Sequence, residues 1–269
     1  MKISKKTAAV VTAALLLAVG IVWCTSKDSA KDSMSGEFGL HGDNFTWELD
    51  GEGVLTIIGK GEMDNSSSVP WLSYRSDIVS VVIEDGVTSI GEYAFNSCEN
   101  LTSIALPNSI KSVGQYAFYN TPWLEAKRKE NPLVVSNKIL IDGKNCSGDV
   151  AIPEGIICIG DDAFGGCKNL TSILIPDSVK YIGDTAFWQC NRLTSIKIPD
   201  SITSIGSWAF YGCDSLTSIT IPDSVTSIGS FCFAGCNGLL SIKIPNSITS
   251  IANYTFSGCS SLTPITIPD

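Results

Sequence analysis

Residues 193–215 read LTSIKIPDSITSIGSWAFYGCDS, and residues 216–238 repeat the pattern as LTSITIPDSVTSIGSFCFAGCNG. The phenylalanine of this unit returns every 23 residues along most of the chain. It stands at Phe95, Phe118, Phe164, Phe187, Phe210, Phe233 and Phe256, and only the interval from Phe118 to Phe164 spans two periods. A fixed period of this size predicts a solenoid, in which each coil buries its apolar face against its neighbours.

Each unit begins with a strand pattern. Leu193, Ile196 and Ile198 form L-x-x-I-x-I, which is close to the leucine-rich-repeat pattern and has the alternation of a strand with one buried face. Pro199 ends the strand because proline lacks the N–H that a ladder needs. Ala209-Phe210 begins a helical or 3₁₀ turn on the other side of the coil.

A glycine precedes that turn in most units. The pattern predicts a bend with positive φ at these glycines, Gly91, Gly114, Gly160, Gly183, Gly206 and Gly229. Ala252 takes this position in the last full unit, which is therefore expected to bend differently.

The combined pattern IPDSVTSIGxxAFxxCxxLTSI resembles the BspA-like type of leucine-rich repeat, which is common in bacterial cell-surface proteins. The resemblance covers residues 78–269, and the stretch DNFTWELDGEGVLTIIGKGEMDN resembles the segment that precedes such repeats. It implies a β-rich solenoid with a parallel sheet, a surface or secreted location, and adhesion or protein binding. It does not imply an enzyme.

The outward strand positions are the candidate partner-binding face. They are small and mostly uncharged, so they also suit any exposed strand. We predict binding through the concave sheet at Ser103, Ala105, Ser172, Leu174, Ser195, Lys197, Ser218, Thr220, Ser241 and Lys243. Outward aromatic residues near the turn are either a surface stripe or the edge of the core: Trp188, Trp208, Tyr211 and Phe231.

Cysteine follows the same period. It occurs at Cys98, Cys167, Cys190, Cys213, Cys236 and Cys259. We interpret this column as small buried hydrophobic residues. Disulfides between neighbouring coils are the alternative, because adjacent strands lie ~5 Å apart.

Residues 37–77 precede the first recognisable repeat. Alternation around Trp47 and Leu55, with a turn at Asp50–Gly53, predicts a β-hairpin that caps the open end of the solenoid, together with Trp71 and Tyr74. A sugar-binding module using these aromatic residues is the alternative. The pattern breaks at residues 121–149, where we predict an irregular rung with a short helix after Pro122 and a hairpin. This rung is either part of the binding side or neutral decoration.

The N-terminus resembles an export segment. Residues 1–24 combine Lys2, Lys5 and Lys6 with an apolar run, and residues 25–36 are predicted to be a flexible tether. Three fates remain open, namely cleavage near Val22–Ser26, lipidation of Cys24, or retention as a membrane anchor. Each places the repeats outside the cytoplasmic membrane, so the membrane is contacted only through this segment.

Charge and motifs exclude several functions. The net charge is −9, which disfavours binding to nucleic acid or to anionic membranes. No nucleotide-binding or zinc-protease motif is present, His41 is the sole histidine, and we predict neither catalysis nor a cofactor. The aspartates Asp177, Asp200 and Asp223 recur at one period and are a weak calcium candidate, since turn chemistry also explains them.

The sequence thus predicts an exported solenoid that binds an extracellular, host or neighbouring-cell protein. Two alternatives remain. A spacer within a larger surface protein is suggested because Ile267–Asp269 stops within a rung, and carbohydrate binding would use the cap tryptophans.

Overall fold

The computed structural model describes residues 33–39, 44–63, 69–263 and 265. The predictions for Cys24, for residues 1–24, for most of the tether and for His41 therefore lie outside the described residues. The same holds for the last residues of the chain.

An antiparallel hairpin begins the fold and continues directly into the repeats. Strands β1 (Met34–Phe38), β2 (Phe45–Leu49) and β3 (Val54–Gly59) pair antiparallel, and Asp50 Oδ1 accepts the N–H groups of Glu52 and Val54, both at 2.9 Å. The predicted hairpin is confirmed. The tether prediction was too long at its end, because residues 34–36 pair with β2.

Two series of parallel strands run along the solenoid. The first series continues from β3 through β5 (Ser80–Ile83) to β7 (Ser103–Ala105), and the second consists of β4 (Gly61–Glu62), β6 (Val87–Ile90) and β8 (Ser112–Val113). Each coil thus contributes one strand to each series. Trp71 stacks on Phe95 with ring centroids 5.9 Å apart, so the repeat lattice already begins before Ile78, within the predicted cap.

The irregular rung follows β8 and contains the one α-helix among the described residues. Helix α1 (Pro122–Glu130) begins at Thr121, whose Oγ1 accepts the Leu124 N–H at 3.2 Å. Strands β9 (Val134–Ser136) and β10 (Ile139–Asp142) then form an antiparallel hairpin. The helix and hairpin predicted from the sequence are both confirmed.

Regular coils resume after the irregular rung. The first series continues as β11 (Gly148–Ala151), β13 (Leu170–Leu174) and β15 (Ser195–Lys197), followed by the pair β17 (Ser218–Thr220) and β19 (Ser241–Lys243). The second continues from β10 as β12 (Cys158–Ile159), β14 (Tyr181–Ile182), β16 (Ser204–Ile205) and β18 (Ser227–Ile228).

Stacked phenylalanines form the centre of the core. Between Phe164 and Phe256 successive rings lie 5.2–5.8 Å apart and within 6° of parallel. The ladder is interrupted once, at Gly143, where an added Cβ would lie 2.3 Å from the Phe164 ring. The core accordingly divides into two hydrophobic clusters, and the irregular rung contributes residues to both.

The prediction of positive φ at the repeat glycines was wrong. Gly114, Gly183, Gly206 and Gly229 do not lie in the left-handed region. They are required instead by close approach between coils, because a Cβ on Gly206 would lie 2.5 Å from the Asp184 backbone nitrogen, and one on Gly229 2.3 Å from that of Ser207. A short contact with backbone cannot be relieved by moving a side chain.

Left-handed backbone occurs two residues later, mostly at bulky residues. Tyr93, Tyr116, Trp208, Phe231 and Tyr254 have φ of 55–59°. This conformation costs roughly 1–2 kcal/mol for a residue with a side chain. The coil-to-coil hydrogen bonds around it, such as Phe231 N–H to Asn253 O at 3.0 Å, hold the backbone there.

The nine described cysteines are free thiols, and the predicted burial of the column is confirmed for all its members except Cys259, which is half-exposed. Their thiols also donate to the preceding coil. Cys213 Sγ lies 3.2 Å from Phe187 O, and Cys236 Sγ lies 3.0 Å from Phe210 O. Burial raises the pKa of Cys236 to about 12. The column therefore consists of hydrogen-bond donors as well as small apolar groups.

Candidate partner-binding face

The predicted face is solvent-accessible, but it is not one continuous sheet. All its residues are exposed except Ser172, which is half-buried. Ser103 and Ala105 lie on β7, which pairs with β5 and is separated from the other positions by the irregular rung. Strand β17 pairs with β19 and not with β15. The expectation of a single ten-position surface is therefore corrected to three groups of strands.

The middle group, β11–β13–β15, forms the best-defined site. Registered pairing places Ala151, Leu174 and Lys197 in one row across the three strands. A second row contains Asp149, Ser172 and Ser195. These residues line a shallow concavity of about 470 Å³. Four of the predicted positions thus share one depression in the surface.

Leu174 is the apolar centre of this site. Its side chain is 60% exposed, although the adjacent residues Ile173 and Ile175 are buried. The period-2 alternation of a strand forces Leu174 outward when its neighbours enter the core. An exposed leucine between Ala151 and Lys197 supplies apolar contact area beside a positive charge.

Asp149 gives the site its polar edge. Its Oδ1 accepts hydrogen bonds from Thr171 Oγ1 at 2.9 Å and Ser172 Oγ at 2.6 Å. The hydrogen bond from Ser172, followed by that from Thr171, lowers the pKa of Asp149 below its usual value. The carboxylate is therefore ionised and held in one orientation at neutral pH.

Sequence reasoning missed Asp149, Val150 and Ala151 as site residues. They belong to β11, the first strand after the irregular rung, where the repeat motif is degenerate and lacks the opening leucine. The return of the apolar alternation at Val150 and Ile152 was the available signal. This alternation indicated the register of the repeat, but it did not show which strand pairs with β11.

Ion pairs with buried aspartates fasten the irregular rung. Arg128 Nε and Nη2 donate to the two carboxylate oxygens of Asp142 at 2.9 and 2.7 Å, with side chains 12% and 5% exposed. Burial alone would lower the pKa of Arg128, but the hydrogen bonds with Asp142 and Glu125 outweigh it and raise that pKa. Lys144 pairs with buried Asp162 and lies 4.9 Å above the Tyr116 ring.

A second depression lies between the irregular rung and the turn after β11. This groove of about 620 Å³ is lined by apolar Leu133, Val135, Pro153 and Ile156, and by charged residues at Lys127, Glu130, Lys138 and Glu154. The sequence had left open whether the irregular rung is part of a binding surface. The structure places a groove there without identifying an occupant.

Aromatic residues occur in the cap, where sugar binding was the alternative, and near the turn, where a surface stripe or the edge of the core was expected. Trp47 and Trp71 of the cap are buried, and the Trp71 indole N–H donates to Ala94 O at 2.8 Å, so they are not available for sugar stacking. Trp208 and Phe231 are half-buried and stack at 4.1 Å, and Phe231 stacks on exposed Tyr254 at 4.7 Å. All four predicted residues are half-buried; Tyr211 contacts Trp208 at 5.0 Å, and Trp188 is not part of this stack.

Two kinds of site are not found among the described residues. No group of three or more histidine, cysteine or acidic side chains there is arranged to hold a metal ion. No helix in that part of the chain combines the length and apolar character needed to cross a membrane.

The match to a repeat-family model is decisive for classification. The model of the BspA type leucine rich repeat region matches residues 72–194 and 143–263, in six copies. The chain belongs to the BspA-type leucine-rich repeat family. Repeats of this family often occur in surface proteins involved in protein interaction, and the solenoid is typically a non-enzymatic scaffold.

The chain is also similar to several solved structures. A leucine-rich repeat protein from Eubacterium ventriosum is 24% identical, with a TM-score of 0.37, and the match covers 87% of this chain and 78% of that one. The T. pallidum leucine rich repeat protein is 24% identical, with a TM-score of 0.43 and coverage of 85% and 81%. The pneumococcal vaccine antigen PcpA is 17% identical, with a TM-score of 0.48 and coverage of 82% and 85%. No curated protein matches the chain.

Proposed function

We propose that this BspA-type solenoid is a cell-surface protein that binds a partner protein through the exposed face of β11, β13 and β15. The observation that carries the proposal is the concavity of about 470 Å³ centred on exposed Leu174. Its apolar centre, lysine and oriented carboxylate supply the mixed contacts of a protein interface. Family membership supports both the interaction role and the surface location.

The face suits a macromolecule better than a small molecule. The depression is shallow and open, and its lining spans three strands, whereas small-molecule sites bury most of their ligand. An adhesive role, with an extracellular, host or neighbouring-cell protein as partner, is our specific hypothesis.

The test is capture of immobilised extracellular-matrix proteins by the full chain purified in detergent. A Leu174→Asp/Ser195→Glu variant is compared with the wild type, and Thr203→Glu, an exposed change elsewhere on the coil, is the matched control. We expect saturable binding that the face variant loses and the control keeps. Capture that the face variant retains would contradict the site. Absence of capture by every form would favour the alternative role of a spacer in a larger surface protein.

A further inference from the structure

The irregular rung interrupts the first strand series. Helix α1 begins where the strand of that coil would lie, so no strand stands between β7 and β11. Among the described residues, β11 pairs with β13 alone. One edge of β11 therefore has no strand beside it.

The register shows which backbone groups face that edge. The Ile152 N–H donates to Leu174 O at 3.0 Å, and Val150 is registered with Ile173, so Val150 and Ile152 direct their backbone groups toward β13. Backbone groups alternate between the two sides of a strand in a sheet. Asp149 and Ala151 therefore direct their N–H and C=O groups away from β13, and both residues are exposed.

The facing edge of β7 is treated differently. The carbonyl of Leu101 accepts the Trp123 N–H at 2.9 Å, and the carbonyl of Leu106 accepts Asn137 Nδ2 at 3.1 Å. The irregular rung thus caps carbonyls at both ends of β7. Within the described part of the chain, β13 is the one strand paired with β11, and no turn or loop hydrogen bond joins the backbone of Asp149 or Ala151 to another segment.

We propose that the free edge of β11 binds an extended segment of a partner polypeptide by strand addition. An extended backbone repeats its donors and acceptors at the spacing of a neighbouring strand, roughly 3.3 Å per residue, and a glycan or a helix does not. The inference rests on the proposed function and names the conformation of the partner. The groove of about 620 Å³ at the end of this edge receives a flanking side chain of that segment.

Apolar groups line part of the groove. Pro153 and Ile156 follow the strand, and Leu133 and Val135 face them from the irregular rung. Val135 is an exposed apolar residue on β9. A branched apolar side chain that follows the paired residues of the partner therefore has contacts on two sides.

The edge is also protected against indiscriminate pairing with other strands. The register shift between Gly148 and Asp149 shortens it to the two outward-facing positions, and Asp149 is charged. Bulges and charged residues are common devices for protecting sheet edges. Strand addition should thus depend on the groove as well as on the backbone.

The test uses the acetylated, fluorescein-labelled peptide LTSIKIPD, the strand of a regular coil at residues 193–200, with the full chain purified in detergent. Ala151→Pro removes the outward N–H and leaves the ladder with β13 intact, while Ala151→Thr keeps the N–H. Fluorescence anisotropy is expected to show saturable binding, about tenfold weaker for Ala151→Pro (~1.4 kcal/mol) and nearly unchanged for Ala151→Thr. Failure of the wild type to bind, or equal binding by the proline variant, would overturn the proposal.

A second measurement does not depend on the proline variant folding. Amide hydrogen exchange at Asp149 and Ala151 should be fast in the free chain and slowed by the peptide. Slow exchange at both amides before peptide addition would show that the edge is already paired and would also overturn the proposal. The Leu174→Asp/Ser195→Glu variant separates the two hypotheses, because it should lose capture of matrix proteins while still binding the peptide.

Discussion

Two regions of the solenoid stack on their neighbours through different interactions. They are the regular coils between residues 170 and 248 and the irregular rung at residues 121–149. Regular coils join through repeated backbone hydrogen bonds, a phenylalanine ladder and glycines at backbone contacts. The irregular rung replaces its phenylalanine by Gly143 and is fastened by Arg128–Asp142 and Lys144–Asp162. Regular stacking leaves a repetitive surface, whereas the break creates a strand edge and a groove.

The largest effect is expected where the irregular rung depends on a buried charge pair. Arg128→Met should destabilise the protein by about 3–5 kcal/mol, because it leaves the Asp142 carboxylate buried and unpaired. Arg128→Met/Asp142→Leu should recover most of this loss. Urea unfolding measures both values. Lys127→Met, which breaks an exposed pair with Glu130, is the control and should change stability by less than about 1 kcal/mol. A small effect of the single Arg128 change would show that the pair is not needed.

The next largest effect is expected at the close contact between Gly206 and the neighbouring coil. Gly206→Ala should destabilise by about 1–3 kcal/mol, because the new Cβ would overlap the backbone of Asp184. An alanine at an unhindered glycine with ordinary φ would instead stabilise by about 0.4–1 kcal/mol, so the sign alone decides. Thermal unfolding with Ser207→Ala as a neighbouring control provides the measurement.

The reverse substitution, from alanine to glycine, tests the same kind of contact between coils. The second strand series ends at β18, and Ala252 occupies the glycine position of the following coil. A different bend of the last full unit stays a prediction, because Tyr254 has the same left-handed φ as Trp208 and Phe231. Ala252→Gly should let that coil approach its neighbour and slow amide exchange at residues 250–252. Unchanged amide exchange in this variant would show that Ala252 is not the reason why the second strand series ends at β18.

A pH-dependent change in stability is expected next to the irregular rung. Burial raises the pKa of Asp161 to about 7, and the carboxylates of Asp184, Glu92 and Asp162 act in the same direction. The folded state therefore retains a proton that the unfolded state releases near pH 4. Its stabilising contribution is complete below that pH and is lost as the pH rises to about 7.

Asp161→Asn tests this titration. The substitution should flatten the fall in unfolding free energy between pH 5 and pH 8, measured in urea. Asp177→Asn, an exposed aspartate on a regular coil, is the matched control and should keep the wild-type slope. An unchanged slope in the Asp161 variant would contradict the assignment.

The smallest effect concerns thiol reactivity. In a Cys24→Ser background, a thiol reagent at pH 8 should label Cys259 first, because it is the half-exposed member of the described cysteines. Burial raises the pKa of Cys213, so it should react only after unfolding. Mass spectrometry of labelled peptides measures the order. Early labelling of Cys213 would show that the regular core opens locally.

Much of the fold was predictable because its signals are local and repeated. The period located the phenylalanine ladder, the alternation located the strands, and Pro122 located the helix. The roles of Gly206 and Cys213 were not predictable, because both depend on atoms in the neighbouring coil. Sequence patterns describe one coil, whereas these contacts arise between two.

The candidate site shows the same division. Exposure of Leu174 and Lys197 followed from strand alternation, and whether they bind a partner stays a prediction. Asp149 and Ala151 entered the site only when the register between β11 and β13 was known. The sequence by itself determined the solenoid and which side chains face outward, because every repeat must bury the same apolar positions. Only the tertiary structure decided where the strand series breaks, because pairing between coils depends on distances that a single repeat does not encode.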